Sequence, residues 1–273
     1  MIKIINIDNA EKSEILTRDI KLESGVEAIV ADIIKNVREN GDAALYKYCE
    51  KFDGARLDNL LVSEEEIEDE NWNSTWEAES FQPVDIDGKM LIRAPHHPAP
   101  DAEIIDVIVT PKMSFGSGHH HTTRMMCRLI HSSKPTGKAL DVGCGTGVLS
   151  FVALKCGAAF VDAIDIDPWS SESAARAAEL NGVSDHINII TGTVEAIEGE
   201  TYDAIYANIN RNIILGDIAR YTAALNAGGS LFVSGFLTED VEHITSAAAT
   251  HNLTLTTQLE EEGWVAIAFK KGE

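Results

Sequence analysis

The feature that most limits how this chain folds is a regular exchange of hydrophobic periods after Lys138. Apolar runs at 139–142, 160–164, 187–190, 204–207 and 230–234 have the length of buried strands. Between them, residues 147–155, 169–181, 211–225 and 239–251 carry apolar side chains at helical spacing. Strands separated by helices are joined by crossovers, so the five runs are expected to lie parallel, with helices on both faces. The tail adds two further strand patterns, 253–258 and 264–269, divided by the turn Glu260-Glu-Glu-Gly263. They read as a hairpin that closes the sheet. The expected fold is therefore α/β and Rossmann-like, with a mixed, mostly parallel seven-stranded sheet.

The first crossover carries the chemistry. Asp141-Val-Gly-Cys-Gly-Thr-Gly147 lies between an apolar strand and an apolar helix. Glycines without a Cβ let the backbone turn tightly and approach a ligand, so Gly143, Gly145 and Gly147 are candidate binding residues. A dinucleotide turn has the pattern G-x-G-x-x-G, but here the third glycine comes one residue early and Val148 takes the sixth place. A carboxylate at Asp141 repels a pyrophosphate and suits a cation, held directly or through water. S-adenosylmethionine, with its ammonium and sulfonium, has the matching sign. The second strand ends in Ala163-Ile-Asp165-Ile-Asp167-Pro168. Asp165 stands where an acidic side chain accepts hydrogen bonds from both ribose hydroxyls, and Asp167 before a proline reads as a helix N-cap. At the end of the fourth strand, Asn208 reaches the edge where such sheets bind ligands; the alternative is that it only caps the next helix. Upstream, Ser114-Phe-Gly-Ser-Gly-His-His-His-Thr-Thr-Arg124 leads into a helix that Thr122 or Thr123 is expected to cap, facing the donor. Three adjacent histidines point in different directions, and no metal is expected there.

Composition excludes several other classes. No apolar run approaches the roughly 20 residues of a membrane-spanning helix, and the N-terminus has no secretory pattern. The four cysteines form no C-x-x-C pair, which argues for reduced thiols and a cytoplasmic protein. A net charge of -22 disfavours nucleic acid as a partner. It suits a basic protein substrate, or simply solubility.

Residues from about 68 to 271 resemble the bacterial ribosomal protein L-eleven methyltransferase family, PrmA. The resemblance rests on Asp69-Glu-Asn-Trp72 with Trp76, Phe115-Gly-Ser-Gly-His-His-His-Thr-Thr123, Leu140-Asp-Val-Gly-Cys-Gly-Thr-Gly147, Ala163-Ile-Asp-Ile-Asp167, Ala207-Asn-Ile-Asn210 and Ser234-Gly-Phe236. It implies a class I methyltransferase in which Thr122, Gly143, Asp165 and Asn208 contact S-adenosylmethionine. It also implies that lysine and N-terminal amines of a ribosomal protein are the acceptors. Methyl transfer needs positioning more than side-chain chemistry; Asn208 is the candidate for orienting donor and acceptor, and no dedicated general base is expected.

The first 67 residues depart from that pattern. The family normally begins with a ferredoxin-like α+β domain, whereas here residues 24–38 place Val26, Ile29, Val30, Ile33, Ile34 and Val37 on one helical face. Gly41 is expected to end that helix, and a second follows near 43–51. The stretches Ile33-Ile-Lys-Asn-Val-Arg-Glu-Asn-Gly-Asp-Ala-Ala-Leu45, Tyr48-Cys-Glu-Lys-Phe-Asp-Gly54 and Leu61-Val-Ser-Glu-Glu-Glu-Ile67 resemble the N-terminus of histidinol dehydrogenase. Three regions are expected: a helical segment over 1–67, a linker with small strands over 68–110, and the methyltransferase domain over 111–273. With the usual docking domain replaced, two alternatives stand beside protein methylation: a small-molecule N-methyltransferase, and a donor-binding module without turnover.

Overall fold

The computed structural model describes residues 26–54, 56, 81–110 and 118–272. The acidic run at 63–70, Trp72, Trp76 and the loop residues 114–117 lie outside the described residues. The chain divides into two units, Met1–Glu70 and Asn71–Glu273.

In the first unit, α1 (Val26–Asn40) and α2 (Asp42–Tyr48) are separated at Gly41 (φ 55°), and a single wide turn at Cys49–Asp53 follows. Asn36 Nδ2 donates to Tyr48 Oη (2.9 Å), tying the helices together. The second helix is shorter than 43–51, because the chain widens into that turn after Tyr48.

The second unit begins with a three-stranded sheet of β1 (Val84–Ile86), β2 (Met90–Arg93) and β3 (Ile105–Ile108). β1 and β2 form a hairpin about Asp87 and Gly88, both at positive φ, and β3 lies parallel to β2. Its inward residues Ile86, Met90, Ile92 and Val107 share one buried cluster with Met125, Phe151 and Ala174 of the following domain. Strands and helices then alternate: α3 (His121–Ser133), β4 (Lys138–Val142), α4 (Val148–Lys155), β5 (Phe160–Asp165), α5 (Pro168–Leu180), β6 (Ile187–Thr191), β7 (Tyr202–Asn208), α6 (Arg211–Ala224), β8 (Leu225–Leu237), α7 (Val241–Thr250), β9 (Leu253–Glu261) and β10 (Trp264–Lys271). The seven strands run in the order β6-β5-β4-β7-β8-β10-β9. The first five are parallel, and β10 is antiparallel to both neighbours. This is the mixed, mostly parallel seven-stranded sheet expected from the sequence.

Strand alternation builds two cores, one on each face. Leu140 and Val142 join Ile214, Tyr221 and Ile244 beneath α6 and α7, while Ala139 joins Met126 and Phe151 beneath α3 and α4. β8 is longer than 230–234. It begins at Leu225, paired with Tyr202, and its register shifts before Ser230 pairs with Ala204. Gly228 (φ 68°) and Gly229 accommodate that irregularity, which is why the stretch reads as a turn.

Candidate active site

The parallel strands end along one edge, and the glycine turn leaves β4 there. The amides of Gly143 and Cys144 donate to Ile164 O (2.8 and 3.0 Å), so the turn is stitched to β5. Gly145 N donates to Asp165 Oδ2 and Asp167 N to Asp165 Oδ1, both at 2.9 Å. Each carboxylate oxygen of Asp165 thus spends one lone pair on the backbone and keeps capacity for another donor. Asp167 caps α5 through Trp169 N (3.0 Å), as expected.

Thr122, Gly143, Gly145, Asp165 and Asn208 all line one cavity of about 650 Å³, together with His120, Ile166, Ile213, Gly235 and Trp264. That volume lies within the range of small-molecule sites. Asp141 and Gly147 stand behind this lining. Asp141 is buried, and its Oδ2 accepts from Ser150 N (3.1 Å) and Ser150 Oγ (2.7 Å). Its Oδ1 has no hydrogen-bond partner. Burial pushes this carboxyl up to about 6, against the opposing pull of Ser150. Gly147 caps α4 in a left-handed conformation (φ 84°), and a Cβ there would come within 2.7 Å of the Phe151 ring. Its lack of a side chain therefore serves packing between the turn and α4.

The expected cap of α3 needs correction, and the capping alternative for Asn208 does not hold. The α3 cap is His120, whose Nδ1 accepts from Thr122 N (3.3 Å) and lies 2.7 Å from Thr122 Oγ1. The helix starts one residue early, so Thr122 and Thr123 are buried in its first turn rather than capping it. Likewise α6 is capped by Asn210, whose side chain accepts from Asn212 N (2.9 Å), and not by Asn208. Asn208 is instead free to face the cavity: Nδ2 reaches Thr123 Oγ1 at 3.4 Å, and Oδ1 is buried without a partner.

The three histidines diverge. His119 meets Phe81 edge-on (5.0 Å between centroids), His120 meets Trp264 edge-on (4.7 Å), and His121 Nδ1 lies 2.9 Å from Glu261 Oε1. Burial lowers the pKa of His120, which favours its neutral form. Sequence reasoning did not bring Trp264 to the site, because no local pattern links residues so far apart in the chain.

The ribosomal protein L11 methyltransferase (PrmA) family matches residues 5–272, a stretch that includes most of the helical segment. A ribosomal protein L11 methyltransferase of Porphyromonas gingivalis is 41% identical over 203 residues, covering 74% of this chain and 70% of the relative. One from Bacteroides fragilis is also 41% identical, over 207 residues, covering 75% and 73%. Among solved structures, a ribosomal protein L11 methylase from Lactobacillus delbrueckii subsp. bulgaricus superposes with a TM-score of 0.65 at 24% identity, over 71% of this chain and 100% of that one, a likeness of fold. With the glycine turn and strand-end residues set in one cavity of this fold, and with that match along its length, the chain belongs to the ribosomal protein L11 methyltransferase (PrmA) family.

Proposed function

We propose that this protein transfers methyl groups from S-adenosylmethionine to lysine and N-terminal amines of ribosomal protein L11. The relatives' names support the acceptor protein. The observation that carries the reading is that Asn208, whose Oδ1 is buried and unpartnered, lines one cavity with Asp165 and the glycine turn. An acceptor oxygen left without a donor suits a site completed by a ligand N–H.

The residues present fit the cofactor. Asp165 offers unused lone pairs to the ribose hydroxyls, the turn at Gly143 and Gly145 lets the donor lie against the backbone, and Thr122 borders the same space. Asp141, behind the turn, supplies a negative field for a cationic ligand without touching it. When bound, S-adenosylmethionine supplies a methyl carbon already activated by its sulfonium.

The chain must present a neutral amine in line with that carbon. An unperturbed lysine, with a pKa of about 10.4, is charged. Burial in the cavity disfavours the ammonium, and Asn208 Oδ1 accepts one N–H of the amine, aiming its lone pair. The neutral ring of His120 adds no competing charge at that end. Positioning accounts for the rate in this scheme, without a dedicated base. The net charge of -22 favours a basic protein acceptor over a nucleic acid, and an acceptor of that kind fits a cytoplasmic enzyme. Among the described residues, no helix is long and apolar enough to cross a membrane. In this reading residues 1–67 are a region distinct from the methyltransferase domain and supply none of the donor-contacting residues.

Incubating the full chain with methyl-labelled donor, purified unmethylated L11 and a panel of small amines tests the proposal. Label on L11, mapped to lysine and the N-terminus, is expected. Donor binding with label only on small amines, or on nothing, overturns it.

A further inference from the structure

The strand order lays the site out as a line. Along the carboxyl edge come Asp165 at the end of β5, the glycine turn after β4, Asn208 on β7, Gly235 on β8 and then Trp264, the first residue of antiparallel β10. Four strand steps of about 4.8 Å separate the ends, roughly 19 Å. Asp165 marks the donor's ribose end, so the Trp264–His120 wall stands at the far end, beyond Asn208, where an acceptor enters.

That wall is made by two elements with no covalent proximity, α3 and the β9–β10 hairpin. Glu261 is the cross-strand partner of Trp264 in that hairpin. Its Oε1 accepts from Arg124 Nη2 and lies 2.9 Å from His121 Nδ1, while its Oε2 accepts from Arg128 Nη1 (2.8 Å). All three partners lie on α3, the helix that His120 caps. Arg124 Nη1 also donates to the carbonyl of His119 (2.6 Å), so the same guanidinium holds the backbone next to His120. Arg128 extends the network to the first hairpin, pairing with Asp87 through Nε (2.9 Å) and Nη2 (3.0 Å). These groups hold the Glu261 carboxyl down to about 2, so it remains ionised across the working range.

We propose that Glu261 is a positioning residue for the acceptor: by gathering His121, Arg124 and Arg128 it fixes Trp264 against His120 and so sets the acceptor end of the cavity. The inference rests on the methyl-transfer reading above, but its geometry is independent of any bound donor. A glutamine at 261 keeps the size of the side chain and loses the charge. It also turns an amide N–H₂ toward at least one of the donors that the carboxylate now accepts, so the hairpin loses its anchor.

The test is a double-mutant cycle between Glu261→Gln and Trp264→Ala in the full chain, with L11 as acceptor. Glu261→Gln should lower kcat/KM for L11 roughly tenfold to a hundredfold, the scale on which small misplacements act. Donor affinity by calorimetry should stay within about twofold, because the ribose end is untouched. In the Trp264→Ala background, Glu261→Gln should add little, since coupled residues are not additive. Arg128→Gln, which breaks the Oε2 limb and the Asp87 pair but spares the Oε1 limb, serves as the second variant should Glu261→Gln unfold. A second readout needs no donor: with Trp72, Trp76 and Trp169 replaced by Phe, Glu261→Gln should red-shift the emission of Trp264 and increase its quenching by acrylamide. Independent, multiplying effects of the two substitutions overturn the proposal, as does unchanged Trp264 emission or a donor affinity that falls with kcat/KM. If the unsubstituted chain binds donor but never labels L11 while Trp264 still responds, the methyl-acceptor reading fails and the clamp stands only as a structural device.

Discussion

Replacing Asn208 with leucine should make the protein more stable and less active. Leucine has nearly the branched shape of asparagine, so the change removes polar atoms without opening a large hole. Asn208 Oδ1 is buried and unpartnered, and a buried unsatisfied acceptor costs about 1–3 kcal/mol. The bond lost in exchange, Nδ2 to Thr123 Oγ1 at 3.4 Å, offsets about 1 kcal/mol of that. The net change therefore lies between zero and about 2 kcal/mol in favour of the variant. For a unit of this size that is a rise in Tm of up to roughly 8 °C. Function should move the other way. A hydrogen bond from a charged or polarised ligand group is worth about 1.5–3 kcal/mol, so donor affinity or turnover should fall about tenfold to 150-fold. Calorimetry with S-adenosylmethionine, scanning calorimetry of the free protein and methyl transfer to L11 measure the three quantities. A variant less stable by about 1 kcal/mol or more, with donor binding and turnover intact, refutes the reasoning, because Asn208 Oδ1 would then be satisfied within the free fold.

Asp165→Asn should weaken donor binding about tenfold or more, since its amide cannot accept from both Gly145 N and Asp167 N and still hold a ribose; titration calorimetry showing an unchanged Kd counts against it. Asp141 gives a pH signature. Its carboxyl sits near 6 in the fold against an ordinary 3.8, so the folded chain binds the proton more tightly and stability falls as pH rises between those values, by about 3 kcal/mol. Asp141→Asn removes that slope, so the stability difference between variant and parent should grow in the variant's favour from about pH 4 to about pH 7; parallel urea curves contradict this. Two buried tyrosines should respond oppositely to Phe. Tyr202 Oη donates to Asp162 Oδ2 (2.8 Å), and its loss should cost about 1.5–3 kcal/mol, whereas Tyr206 Oη has no partner and its removal should be neutral or stabilising. Denaturant titrations that rank the pair the other way would falsify this accounting.

The fold was legible because its evidence is local. Runs such as 160–164 and 187–190 differ from β5 and β6 by one residue, and the helix pattern 169–181 from α5 by one at each end. β1 escaped notice because three residues cannot display an alternation. The start of β8 was hidden by Asn226-Ala-Gly-Gly229, whose composition is that of a turn although the chain pairs with β7 on either side of it, at Leu225 and from Ser230. Asp165, Gly143 and Gly145 could be brought to one cavity because strand ends converge on one edge in any sheet of this kind, whereas Gly147 packs behind it against Phe151. The His120 cap could not be foreseen, since an imidazole acceptor replaces the hydroxyl that capping rules favour. Nor could the Glu261 cluster, whose members meet only after the whole sheet has closed.

The reversed direction of β10 has a consequence for how such an enzyme changes over time. In a parallel strand, the residue at the ligand edge is followed by a crossover that must cover a face of the sheet. Trp264, by contrast, follows a two-residue turn at the surface, Glu262–Gly263, which covers no face of the sheet. New turns can be tried there while the crossovers around the glycine turn and Asp165 stay as they are. One end of the line is thus fixed by the architecture, and the other, on the methyl-transfer reading, is open to variation in which amines it admits.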